Sequence, residues 1–328
     1  MSTSDTPLLD VHNLRVVLRT PRGPAAAVRD LSFTLQRGQT LGLVGESGCG
    51  KSISVMALMG LLPDGAQVSG SIRFDGQELV GADERSLCAL RGHRIGMIFQ
   101  EPMSALNPVH TIGQQIAEPM RLHLKLAARE ARERALQLLD RVGITDAARR
   151  LDAYPHQFSG GQRQRITIAM ALACNPSLLI ADEPTTALDV TIQKQILDLM
   201  RELVAERGMA MILISHDLRV IARNVQRMMV MYGGTVVESG STAAVFGAHA
   251  HPYTRGLFGA RPRLGAPRGA RLATIPGSVP ELADLPAGCT FAGRCAHTLP
   301  ACHTQVPQWV SLDAGHRVRC DRLEAVRA

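Results

Sequence analysis

The chain has 328 residues, 45% of them hydrophobic and 20% charged, enough to bury a sizeable core and unlike a disordered or low-complexity polymer. Lys and Arg outnumber Asp and Glu by 36 to 29, a formal net charge of +7, but the excess is scattered arginine with no Lys/Arg block interleaved with aromatics, which argues against a nucleic-acid partner. The opening residues carry no basic and apolar leader pattern, and no run of about eighteen apolar residues occurs anywhere, so neither a secretory signal nor a membrane span is expected.

Residues 8–18 and 26–35 are apolar, β-branched runs separated by the breaker stretch Pro21-Arg22-Gly23-Pro24, and read as the two strands of a hairpin. Residues 39–44 form a short buried-strand run followed by a glycine-rich loop. Helical apolar spacing then covers residues 51–62 and stops at Pro63. The stretch from about Glu101 to Ala173 is expected to be mostly helical, with Ala131, Ala135, Leu138, Leu139 and Val142 on one face. Residues 177–181 (SLLIA) and 210–215 (AMILIS) are apolar runs, each leading into a polar turn and a helix. Strands alternating with helices imply an α/β fold with a mostly parallel sheet covered on both faces. Near Gly259 the composition shifts toward Pro, Gly and Arg, giving expected domains at 1–258 and 259–328, the second opening as a meandering loop over 259–290.

Gly45-Glu46-Ser47-Gly48-Cys49-Gly50-Lys51-Ser52 fits the phosphate-binding pattern G-x-x-x-x-G-K-[ST] and sits between an expected strand and an expected helix, the context that pattern needs. Glycines allow the backbone N–H groups to wrap phosphate oxygens, and the helix N-terminus favours the anion. Lys51 is expected to reach the β- and γ-phosphates, Ser52 to ligate Mg²⁺, and Cys49 to act as a small filler. A second acidic motif, Asp182-Glu183-Pro184, ends an apolar strand. Side chains alternate along a strand, so the two carboxylates can divide the work, Asp182 toward Mg²⁺ and Glu183 toward the attacking water.

The stretch Phe158-Ser159-Gly160-Gly161-Gln162-Arg163-Gln164-Arg165 resembles the signature motif of ABC ATPases, with Phe158 where that family usually has Leu. Gln100, after the apolar run 95–99, is similar to the family's Q-loop glutamine, Ala187-Leu188-Asp189 to its D-loop, and His216 to its switch histidine. The resemblance covers roughly residues 8–258. It implies a P-loop ABC ATPase domain with a mostly parallel core, an N-terminal antiparallel β part and a helical subdomain. It also implies two ATPase domains packed head to tail, with Ser159, Gly160, Gly161 and Gln162 receiving the partner's nucleotide. Glu183, His216 and Gln100 are then the catalytic set, and Ser52, Gln100 and Asp182 the Mg²⁺ ligands. One departure is that no Phe, Tyr or Trp occurs between Met1 and Ser32, where the family usually has an aromatic that stacks on adenine. The plane of Arg19 or Arg22, or aliphatic contacts, would have to substitute, and loose nucleotide selectivity is expected.

In the tail, His251-Pro252-Tyr253-Thr254 and the stretch running from Pro286 through Cys289 and Arg294 to Cys295, continued by Cys302 and Cys320, resemble the C-terminal extension of oligopeptide/dipeptide permease ATPases. So do the surroundings of Gln100, including Pro102, Leu106 and Pro108. This implies an ATP-hydrolysing subunit powering import of di- or oligopeptides, with nickel or another small solute as the alternative and a soluble ATPase acting on nucleic acid or ribosomes a more distant one. The implied partners are a second, related ABC ATPase, two membrane permease subunits docked on a groove within residues 102–119, and an extracytoplasmic solute-binding protein. The location is the cytoplasmic membrane face. Four thiols at Cys289, Cys295, Cys302 and Cys320 suit a soft metal centre. Some members of the resembled family hold a 4Fe–4S cluster there; zinc, free thiols or a disulfide are the alternatives. Such a centre would tie down a tail too poor in apolar residues to fold firmly. Cys88 and Cys174 read as packing residues.

Overall fold

In a computed structural model of the chain, residues 6–101, 105–186, 188–260, 274–313 and 315–327 are described. The first elements are strands β1 (Leu9–Thr20), β2 (Gly23–Leu35) and β3 (Thr40–Val44), helix α1 (Lys51–Met59), strands β4 (Gln67–Phe74) and β5 (Gln77–Glu78), helix α2 (Glu84–Leu90) and strand β6 (Ile95–Ile98). Helices α3 (Ile112–His123), α4 (Ala128–Arg141), α5 (Ala147–Arg150) and α6 (Gly160–Ala171) follow, then β7 (Leu178–Asp182), α7 (Val190–Arg207) and β8 (Ala210–Ser215). The chain continues through α8 (Leu218–Asn224), β9 (Arg227–Tyr232), β10 (Thr235–Ser241), α9 (Thr242–Ala248) and α10 (Pro252–Gly259). It closes with α11 (Pro300–Thr304), β11 (Trp309–Asp313), β12 (His316–Arg319) and α12 (Leu323–Arg327).

Two compact units divide these elements. One, strand-rich, comprises Leu9–Thr34, Leu41–Val80 and Ser215–Ala328; the other, helix-rich, comprises Met1–Leu8, Leu35–Thr40 and Gly81–Ile214.

In the strand-rich unit the sheet order is β5-β4-β1-β2-β10-β9-β3. β1 and β4 are antiparallel with a bulge between His12 and Arg15, where Asn13 turns to φ 48° and a Cβ on Gly70 would stand 2.5 Å from the Asn13 carbonyl. A glycine there is what lets the bulged backbone come that close. β3 is fully buried and runs parallel to β9, and such two-sided burial explains why it reads as an unbroken apolar run. The expected hairpin is present as β1 and β2. The tail departs from its expected weakness: β12 pairs antiparallel with both β10 and β11, extending the sheet. Phe291, 3% exposed, packs edge-on to Tyr232 with ring centres 5.1 Å apart and lies 5.3 Å from Tyr253. A few aromatic contacts thus supply the core that the tail's composition did not announce.

The helix-rich unit holds β6, β7 and β8, paired in parallel. β7 and β8 are buried throughout. The helical expectation for the middle of the chain is met by α3 to α6. On α4 the buried residues are Ala131, Ala135, Leu138 and Leu139, the face that the periodicity marked. Thr111 and Gln114 form a reciprocal capping box at the start of α3.

Candidate functional site: a phosphate loop, a carboxylate pair and a capped signature helix

The glycine-rich loop lies in the strand-rich unit between β3 and α1. Gly50 has φ 99°, and a Cβ there would lie 2.5 Å from the Ala27 carbonyl oxygen; a Cβ on Gly45 would lie 2.2 Å from the Met231 carbonyl oxygen. Both glycines are therefore dictated by β2 and β9 pressing on the loop. Gly48, at φ 78°, meets nothing within 4 Å, so its glycine answers to backbone conformation alone. Lys51 is 5% exposed and donates to the Gly45 and Glu46 carbonyls at 2.8 and 3.0 Å. Cys49 is wholly buried and its thiol is pushed up by burial. Ser52 opens α1 and is half-buried.

Two residues that sequence reasoning did not single out hold this loop from the tail side. The Tyr253 hydroxyl accepts from the Glu46 N–H at 2.8 Å. Arg294, with its side chain only 6% exposed, grips the Glu46 carboxylate with both terminal nitrogens, the shorter contact 2.7 Å, and also donates to the Pro276, Ile275 and Gly277 carbonyls. Their only signal was membership of the His251–Thr254 and Cys289–Cys295 stretches; nothing in the sequence pairs them with Glu46. Arg22, considered for adenine stacking, is instead engaged by Asp284, two contacts of 2.7 Å, and by Glu281 at 3.1 Å.

In the helix-rich unit, Asp182 ends β7 and is 5% exposed. Glu183 follows in a left-handed conformation (φ 46°), donates its N–H to the Ile214 carbonyl and accepts from the Thr186 hydroxyl at 3.0 Å. A side chain bearing Cβ at positive φ is held there by its surroundings, here the Ile214 carbonyl and the Thr186 hydroxyl. Parallel pairing of Ile98 with Ala181 brings the end of β6, and Gln100 two residues beyond it, to the same sheet edge as the carboxylate pair. His216 is exposed directly after β8.

Ser159 caps α6, accepting from the Gln162 N–H at 3.3 Å, while Gln162 accepts from the Ser159 N–H at 3.0 Å. Phe158 is 4% exposed with the Arg150 guanidinium 5.0 Å over its ring, so the Leu-to-Phe departure is absorbed by packing. A Cβ on Gly161 would meet Ile192 at 2.9 Å, whereas one on Gly160 would meet only Leu188, at 3.9 Å. Asp189 caps α7 by accepting from the Thr191 and Ile192 N–H groups. Ala187, and residues 102–104 of the expected docking groove, lie outside the described residues.

Residues 28–186 match the ABC transporter family, and residues 237–302 match the family described as the oligopeptide/dipeptide transporter C-terminal region. A Brucella melitensis protein named "Putative peptide import ATP-binding protein" is 52% identical over 99% of this chain and 100% of its own length. The chain belongs to the ABC transporter ATP-binding proteins of the oligopeptide/dipeptide type. This family member is an ABC-type ATPase. The oligopeptide transport ATP-binding protein OppD of Mycobacterium tuberculosis is 48% identical over 98% of this chain, which spans 53% of that relative. Among solved structures, the ABC cassette dimer of MJ0796 in a post-hydrolysis state with ADP and Pi superposes with a TM-score of 0.64 at 28% identity, covering 71% of this ATPase and 98% of that chain. The protein cbiO1 of Clostridium perfringens, part of the ABC transporter complex cbiONQ, gives 0.62 at 28% identity, with coverages of 75% and 92%. No helix among the described residues is long and apolar enough to cross a membrane.

The four tail cysteines of this ABC ATPase line one narrow cavity with Phe291 and His297. Burial pushes the Cys289 thiol up to about 11 and raises those of Cys295 and Cys320, with the neighbouring cysteines adding to the effect. Backbone N–H groups of Leu299 and Arg322 donate to the Cys302 and Cys320 sulfurs. The donor set suits a thiophilic centre. Among the described residues, however, no group of three or more His, Cys, Asp or Glu side chains is arranged to hold a metal ion, so the iron–sulfur or zinc expectation rests on ligand type and the shared cavity.

Proposed function

We propose that the chain is the ATP-hydrolysing subunit that powers import of di- or oligopeptides. The observation carrying this reading is similarity along nearly the whole length, tail included, to a relative named for peptide import. In this reading residues 1–258 are the ATPase domain and 259–328 the importer-type extension. Residues 45–52 wrap the phosphates, with Lys51 leaving its loop carbonyls to meet them. Ser52, Gln100 and Asp182 are the Mg²⁺ ligands, the ion supplying charge neutralisation on the β- and γ-phosphates. Glu183 orients and polarises the attacking water, and His216 fixes the γ-phosphate geometry. Ser159, Gly160, Gly161 and Gln162 receive the nucleotide of a second, related ATPase, and Asp189 is this chain's own D-loop residue. Two membrane permeases and an extracytoplasmic binding protein complete the assembly, with this chain at the cytoplasmic face of the membrane. Cys289, Cys295, Cys302 and Cys320 are its 4Fe–4S ligands, with zinc the alternative; absence of iron and acid-labile sulfide from anaerobically prepared protein would remove that element alone.

The test is peptide uptake in a strain lacking this chain, complemented with wild type or Glu183→Gln. The variant should bind ATP yet lose on the order of 10²–10⁴ in turnover and fail to restore uptake. Uptake of Ni²⁺ lost with peptide uptake intact would reassign the solute.

A further inference from the structure

A cavity of about 580 Å³ lies wholly within the strand-rich unit, between β2 and β10 on one side and residues 282–290, 306 and 307 on the other. Its volume falls in the range of pockets that enclose small organic ligands, about 300–1,000 Å³. None of the residues assigned above to nucleotide chemistry lines it.

Its walls are of two kinds. Pro24, Val237, Leu282, Leu285, Val306 and Pro307 give an apolar surface, while Arg15, Arg29, Arg319 and Asp30 supply charge. Asp30 is already paired with Arg319, whose guanidinium is held 4.6 Å over the Trp309 ring. Among the described residues, that leaves two positive charges without a counter-ion. Arg15 is exposed and has no ion-pair partner among the described residues. Arg29 is half-buried; its two terminal nitrogens donate to the Pro286 carbonyl at 2.6 Å and the Leu285 carbonyl at 3.4 Å, and its Nε is buried with no partner. The guanidinium plane is thus fixed by neutral acceptors while its charge is unmatched. Burial and the nearby Arg15 both disfavour that charge. Holding the half-buried Arg29 charge beside an apolar wall, with Arg15 near it, is costly unless something anionic offsets it, and a pre-set guanidinium is suited to the planar oxygens of a carboxylate or the tetrahedral oxygens of a phosphate.

We propose that this cavity binds a small amphiphilic acid, its carboxylate or phosphate head received by Arg15 and Arg29 and its apolar body by the Leu285, Val237 and Val306 wall. Because the cavity wall is built half from the cassette's sheet and half from the tail, an occupant would bridge the two, which makes it a route by which a cytoplasmic metabolite or product could adjust the ATPase. The proposal goes beyond the transport reading and does not depend on which solute is carried.

The experiment is calorimetric titration of the full chain saturated with Mg²⁺ and a non-hydrolysable ATP analogue, so that phosphate probes cannot report on the P-loop. The probes are N-acetyl-dileucine, its C-terminal amide, and hexyl phosphate. One or both acids should bind with a submillimolar Kd, and the amide at least about tenfold more weakly. A response to N-acetyl-dileucine alone assigns a carboxylate ligand, and one to hexyl phosphate alone a phosphate ligand. Arg29→Gln should weaken binding at least about tenfold. Because Arg29 also holds two carbonyls of the wall, the exposed Arg15→Glu is the second variant: it should keep wild-type thermal stability and ATPase rate while losing acid binding by a similar factor. The proposal is overturned if neither acid binds at about 10 mM, if amide and acid bind alike, or if Arg15→Glu leaves the affinity unchanged.

Discussion

The phosphate loop and the signature segment are both glycine-rich turns that open a helix, yet their glycines serve different masters. In the loop, Gly45 and Gly50 face backbone carbonyls of β9 and β2 at distances that no side chain tolerates, and a buried lysine ties the loop to itself. In the signature, a reciprocal Ser159–Gln162 cap makes the helix start self-sufficient, Gly161 yields space to Ile192, and Gly160 has almost nothing near it. The first motif is shaped by the fold around it. The second leaves one glycine that contacts within the chain do not require, since a Cβ there would meet only Leu188, at 3.9 Å.

Gly50→Ala gives the sharpest break of this comparison. A Cβ at φ 99° and 2.5 Å from the Ala27 oxygen must move β2 or the loop, so ATP affinity by nucleotide titration should fall at least about a hundredfold. Gly160→Ala is the counterpart: its melting temperature should match wild type while turnover of the assembled transporter drops by about tenfold or more. A fold as damaged as that of Gly50→Ala would end the distinction. Arg294→Met probes the loop from outside, since Glu46 loses its paired guanidinium; KM for ATP should rise about tenfold with kcat nearly unchanged, and an equal loss in both would point to general destabilisation. Ser159→Ala removes a helix cap and should cost about 1 kcal/mol in denaturant unfolding.

A last expected effect concerns pH and vanishes near neutrality. His251, wholly buried, is pushed down from 6.5 to about 3 by burial, and its Nδ1 accepts from the Tyr253 N–H. The unfolded chain takes up a proton near 6.5 that the folded chain refuses until about 3. Stability from this group is therefore full above the upper value and is lost progressively as pH falls toward the lower. His251→Asn keeps a capping acceptor, and its melting temperature should depend less on pH between those values than the wild type's.

The parts legible in the sequence were those written in contiguous residues. β3, β7 and β8 are unbroken apolar runs because both faces are covered, and the phosphate loop, carboxylate pair and signature are short strings with fixed spacing. What escaped depended on partners far apart in the chain. Arg294 meets Glu46 across 248 positions, and β12 pairs with β10 through residues 317 and 318 against 239 and 238, a register that no local periodicity encodes. The pairing of Arg22 with Asp284 and Glu281, 262 and 259 positions away, is another that the local sequence does not show.

Glu238 carries a different lesson, about modularity. It sits in β10 with no exposed surface, and its carboxylate is met by the Ala250 and His251 N–H groups and by His316 Nε2 at 2.9 Å, the last from the tail strand β12. A cassette lineage that shed or exchanged its tail would bare this carboxylate and strip it of a ligand it keeps at β12. The extension and Glu238 are therefore a matched pair in this fold; a graft of this tail onto a foreign cassette is expected to need the acid installed at the corresponding strand position, and a deletion to need the acid replaced.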